Sequence, residues 1–107
     1  MTKYELFCMI FLTFDADWSE THNEELREYL SDANPFLFQG ECSADPAVYT
    51  TFCKFIGETK ITEATSYELA QKYVDSLNNT ALSDSFGTLD SAQWFDVLPE
   101  LLNELRK

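Results

Sequence analysis

YELFCMIFLTF, residues 4–14, decides the fold of this 107-residue chain. The run is so apolar that periodicity cannot separate a long strand from a buried helix. Two local features favour the helix. Thr2 and Glu5 stand three apart in the form of a capping box, in which each side chain satisfies the other residue's backbone N–H. Leu, Met, Phe and Cys dominate, and Ile10 and Thr13 are the only β-branched residues in the run. Further out, no Asn-Gly or Asp-Gly hairpin turn occurs, and no glycine precedes Gly40. A lone strand would have nowhere to place its backbone hydrogen bonds. The segment is therefore expected to be helical; an α+β fold with residues 4–14 as a strand is the alternative.

The flanking segments carry helix signals of their own. Thr21-x-x-Glu24 has the capping-box form and precedes Leu26, Tyr29 and Leu30 on one face. That helix must stop by Asn34, because Pro35 pushes its predecessor out of the α region. Phe36, Leu37 and Phe38 then read as a loop tucked against the core, with a short strand as the alternative. Asp45-Pro46 pairs a capping carboxylate with proline at the first helical position. Tyr49, Phe52, Cys53 and Ile56 form its buried stripe, and Gly57 suits a left-handed stop. A fourth helix starts near Thr62 or at Thr65-x-x-Glu68, turns Tyr67, Ala70, Tyr73, Val74 and Leu77 inward, and ends at Asn78-Asn79. Leu82 to Phe86 reads as a short turn closing at Gly87. From Asp90 to the C-terminus a last helix is expected, kinked or broken at Pro99, which removes the hydrogen bond to the Phe95 carbonyl. The expectation is an all-α single domain over residues 1–107, with five or six short helices around the hydrophobic first one.

Composition agrees with one packed domain. The chain is 45% hydrophobic with nine Phe, and a chain of this length buries roughly two-thirds of its unfolded surface without metal or disulfide staples. Cys8, Cys42 and Cys53 form no C-x-x-C pair, which points to free thiols in a reducing, cytosolic compartment. Residues 6–12 resemble the apolar core of a signal peptide, but Glu5 stands before them, Lys3 is the one basic side chain there, and no A-x-A site follows. The run from Leu6 to Phe14 is also far short of the roughly 20 residues of a membrane span. The segment is kept in the fold.

Charge is the most unusual property. Nineteen acidic residues against seven basic ones give −12, beyond the magnitude of about 2 to 8 that keeps a small domain soluble. Such a field repels nucleic-acid phosphates and anionic membranes, and attracts a basic protein. From Asp15 to Asp32 there are seven acids and one base, Arg27; from Asp84 to Glu104 there are five acids and none.

The stretch DADWSETHNEE, 15–25, has part of the pattern of a calcium loop. Asp15, Asp17 and Ser19 fit positions 1, 3 and 5 of an EF-hand, but Glu20 stands where the turn needs Gly, and Leu26 where a bidentate Glu is required. It reads instead as a polar connection between the first two helices, with Thr21 capping the second. His22 is the one histidine, remote in sequence from every cysteine, and no spacing marks a zinc site. No G-x-S-x-G, P-loop or G-x-G-x-x-G occurs, and the three glycines are isolated. No enzyme, metal or cofactor is expected.

YELFCMIF at 4–11, ANPFLF at 33–38, SADPAVY at 43–49 and SYELAQKYVDSLNN at 66–79 together resemble a group of small bacterial proteins of unknown function. The resemblance implies a small intracellular bacterial protein and assigns no functional residue. The functional expectation is a soluble, non-enzymatic interaction module of inhibitor or immunity type that binds a basic partner. Asp15, Asp17, Trp18, Glu20, Glu24 and Glu28 are the contact candidates, since Trp ringed by charge is a common interface anchor. The alternative is a small-molecule or divalent-metal-binding domain with a Phe- and Tyr-lined pocket near PFLF.

Overall fold

A computed structural model describes residues 1–36 and 40–107. These form six helices and no strand: α1 (Lys3–Thr21), α2 (Glu24–Ala33), α3 (Pro46–Ile56), α4 (Glu63–Ser76), α5 (Thr80–Gly87) and α6 (Ser91–Leu105). The all-α expectation is met, and residues 4–14 are helix, not strand.

The α1 capping box is made as its spacing requires. The Glu5 N–H donates to Thr2 Oγ1 at 3.0 Å, and the Thr2 N–H donates to Glu5 Oε1 at 2.9 Å. Every residue from Glu5 to Phe11 is buried, as is Phe14. A helix apolar all round has no face for water, so it must be surrounded. α1 accordingly contacts all five other helices. Phe7 packs on Tyr49 and Phe52 with ring centroids at 5.2 and 5.1 Å, and Phe14 packs on Tyr29 at 5.4 Å. Each such buried aromatic contributes about 1.5–3 kcal/mol. The described residues have a radius of gyration of 12.8 Å, close to the roughly 13 Å of one compact body of this length.

Caps at α3, α4 and α6 fall where the sequence puts them. Asp45 accepts from the Ala47 N–H, and Gly57 closes α3 with φ 58°. Thr62, rather than Thr65, caps α4, the two threonines forming a mutual box. Asp90 and Gln93 do the same for α6.

Three expectations are corrected. The 15–25 stretch is not mainly a connection: α1 continues through Thr21, His22 closes it at φ 53° with its N–H on the Trp18 carbonyl, and Asn23 caps α2. Asn23 Oδ1 accepts from the N–H groups of Glu25 at 2.9 Å and Leu26 at 3.4 Å, a position Thr21 cannot fill while helical itself. The Leu82–Phe86 turn is the interior of α5, which starts at Thr80 under the Asn79 cap. Finally, α6 runs unbroken through Pro99. The Phe95 carbonyl freed by Pro99 belongs to an exposed residue, where water can reach it, while Leu98 and Leu102 on either side are buried and hold the helix down. The PFLF segment is only partly within view: Phe36 is exposed with its ring 5.7 Å from Phe11, and Leu37 and Phe38 lie outside the described residues.

The two ends of the chain meet. Arg106, just past α6, donates to Glu5 through Nε at 2.6 Å and a terminal nitrogen at 3.3 Å. The guanidinium holds the Glu5 carboxyl below its ordinary value of 4.5, overcoming the opposing push of burial.

Candidate functional site

α1 and α6 leave between them a hollow of about 650 Å³. Leu12 and Ala16 of α1, Val97 and Leu101 of α6, and Leu89 from the α5–α6 connection supply its apolar lining. Asp96 and Glu100 stand beside them. The helical repeat explains the arrangement. On α6, Trp94, Leu98 and Leu102 are spaced by four and buried in the core, which leaves Gln93, Val97 and Leu101, with the same spacing, on the neighbouring face.

The hollow does not end there. A second, of about 480 Å³, shares Thr13, Ala16, Leu89 and Gln93 with the first and adds Asp17, Glu20, Ser85 and Thr88. A third, of about 220 Å³, shares Asp17, Ser85 and Thr88 with the second and adds Asp84. Together they make one trough along α1 from Leu12 to Thr21, roughly 13 Å at the helical rise per residue. Its carboxylates are Asp17, Glu20, Asp84, Asp96 and Glu100, and none of its lining residues is Lys, Arg or His.

The six residues nominated from sequence do not share one face. Asp17 and Glu20 line the trough. Asp15 and Trp18 border a separate hollow of about 250 Å³ against α2, which also contains Arg27. Glu24 and Glu28 lie on the outer side of α2, again with Arg27. The split follows from the correction to α1: as a helix, Asp15 and Asp17 are about 200° apart around the axis and so point to different sides. On the α2 side Arg27 also offsets the acids, pairing with Glu24 at 3.3 Å between exposed side chains.

Trp18 is partly core. It packs against the buried cluster, its ring centroid 5.1 Å from that of exposed His22, and its buried indole N–H meets no acceptor among the described residues. Asp17 has internal work too, accepting from the Ser85 hydroxyl at 2.7 Å. Sequence reasoning did not nominate Asp84, Asp96 or Glu100. The available signal was the four-residue spacing of Asp96 with Glu100 and of Val97 with Leu101.

Cys8, Cys42 and Cys53 are free thiols, and burial pushes the Cys8 thiol up to about 11, so it is protonated at neutral pH and a poor nucleophile. Burial likewise raises Tyr4 to about 12, and its hydroxyl donates to the Pro35 carbonyl at 2.8 Å. Among the described residues no three His, Cys, Asp or Glu side chains gather closely enough to hold a metal ion. No helix among them is long and apolar enough to cross a membrane.

Compared with known proteins, the chain matches no family model, no curated protein and no solved structure.

Proposed function

We propose that this chain is a non-enzymatic interaction module of inhibitor or immunity type, which binds a basic protein through its acidic surface. The observation that carries the reading is the trough: five carboxylates along a groove whose α1–α6 part has an apolar floor, with no cationic side chain among its lining residues. One-signed charge concentrated on one face speeds encounter with an oppositely charged partner and discriminates against others. The overall charge of −12 acts in the same sense and disfavours direct contact with nucleic acid. Three free thiols suit a cytosolic setting, and the stretches that resemble small bacterial proteins speak for a bacterial source.

The rival small-molecule reading expected a Phe- and Tyr-lined pocket near PFLF; the 650 Å³ hollow is lined by neither residue type, although its volume falls within the roughly 300–1,000 Å³ usual for ligand sites. Its walls argue the other way. Ala16, Gln93, Asp96, Val97 and Glu100 are all exposed, so a small ligand would stay largely in water, where binding sites bury most of theirs.

The test is capture from lysate on immobilised protein, eluted in steps of rising salt, beside a control protein of equal size and charge. A basic protein retained here, absent from the control, and bound more slowly by a Glu20→Lys/Asp96→Lys/Glu100→Lys variant when purified supports the proposal. The same retained set on both columns overturns it and leaves −12 as a matter of solubility.

A further inference from the structure

Resting on that reading, we infer that the trough between α1, α5 and α6 is a docking groove for a basic amphipathic helix of the partner, about two to three turns of it engaged. Three observations converge on this occupant. The floor is a narrow apolar stripe, Leu12 and Ala16 opposite Val97 and Leu101, and Val97 is 42% exposed although apolar. Asp96 and Glu100 stand beside the stripe on α6, and Glu20 and Asp84 border the more polar remainder of the trough towards the α2 end of α1, so a cationic face is met along the whole length. The length along α1, roughly 13 Å, is that of about nine helical residues.

Backbone chemistry decides between a helical and an extended occupant. The trough walls are mostly helices whose interior N–H and C=O groups, apart from the Phe95 carbonyl freed by Pro99, are paired within them, and the described residues contain no sheet edge for a strand to join. A segment lying there must therefore satisfy its own backbone, which a helix does. Apolar residues at i, i+4 and i+7 would fill the floor while Lys and Arg beside them reach the acids. The α2 side is the poorer site, since Arg27 stands in both of its hollows.

The probe is a fluorescein-labelled 14-residue peptide with Leu and Ala on one helical face and Lys and Arg on the other. Its control is a scramble of the same composition, and affinity is read by anisotropy at low and moderate salt. Circular dichroism first confirms that each protein variant is folded. Val97→Arg/Glu100→Lys, at two exposed positions of the groove, is expected to weaken the helical peptide at least about tenfold, or about 1.4 kcal/mol. Glu25→Lys/Glu28→Lys, on α2, removes two acids where the groove variant removes one, so it changes the net charge by more, and yet is expected to cost no more than about threefold, the screened long-range share. The scramble should bind the wild type at least about tenfold more weakly, since its apolar side chains no longer share a face. Equal binding of the scramble, or loss caused by the α2 variant instead of the groove variant, overturns the groove while leaving the basic-partner reading intact. Failure of both peptides to bind at low salt overturns both.

Discussion

Ser85 donates its hydroxyl to Asp17 Oδ2 at 2.7 Å, and this bond ties α5 to the last turns of α1 across 68 residues of sequence. It also sits in the wall of the trough, so an acid that looks free in the sequence is half employed in holding the groove's shape. Ser85→Ala is expected to lower stability by about 1–2 kcal/mol, the worth of a hydrogen bond to a charged group that is partly open to water. Asp17→Asn retains an acceptor and should cost less. Urea titration of the two variants checks the order; the reverse order would mean the hydroxyl is not what anchors Asp17.

The cap of α2 offers a direct contrast between sequence and structure. Asn23→Ala is expected to cost about 1 kcal/mol, because it strips the acceptor from the Glu25 and Leu26 N–H groups. Thr21→Ala, at an exposed position inside α1, should change stability by less than about 0.5 kcal/mol. Thermal unfolding of both settles which residue is the cap.

Trp94 and Trp18 differ in what their indole N–H groups meet. Trp94 Nε1 donates to Ser66 Oγ at 2.9 Å, both residues being fully buried, and Ser66 in turn donates to the Glu63 carbonyl at 2.7 Å. Ser66→Ala leaves the Trp94 donor buried and unpaired, at a cost of about 1–3 kcal/mol. Trp94→Phe should be more damaging than Trp18→Phe, since the latter discards a donor with no acceptor among the described residues. Equal losses in chemical denaturation would contradict this.

Glu5 predicts an acid limb in the stability curve. Its carboxyl titrates lower in the folded chain than the 4.5 of an unpaired glutamate, because Arg106 bonds its charged form. The stability this contributes is fully present above about pH 4.5 and is lost as pH falls through the lower, folded value. Glu5→Gln should therefore be less stable than wild type at pH 7, and the two curves should converge as the solution is acidified. Urea midpoints taken from pH 7 down to pH 3 test this; a constant offset at every pH would show that the pair adds nothing that depends on the Glu5 charge.

Much of the fold was legible because its signals are local. A capping box involves residues three apart, and Asp45-Pro46 acts within a single turn, so Thr2, Asp45 and Asp90 mark helix starts with no help from the rest of the chain, while the sequence left the start of α4 open between Thr62 and Thr65. The all-apolar run from Leu6 to Phe11 left strand and helix open by itself, and the Thr2–Glu5 box and the lack of hairpin turns tipped it to a helix enclosed by others. The end of α1 was not legible. Thr21-x-x-Glu24 and Asn23 compete for the same cap, and Asp17 held by Ser85 and Trp18 packed on the core favour the longer helix, through contacts distant in sequence. Pro99 misled for the same reason, since burial of Leu98 and Leu102 carries α6 past it.

What the amino-acid sequence determined by itself was the helical class, most helix starts and the excess of negative charge, all properties of neighbouring residues or of composition. Only the tertiary structure decided where that charge acts. Continuing α1 through residue 21 turned Asp15 and Asp17 to different sides, and packing α6 beside α1 set Asp96 and Glu100 along the same trough as Glu20. A helix assigns each side chain a direction around its axis, but which directions converge depends on how helices from opposite ends of the chain pack together.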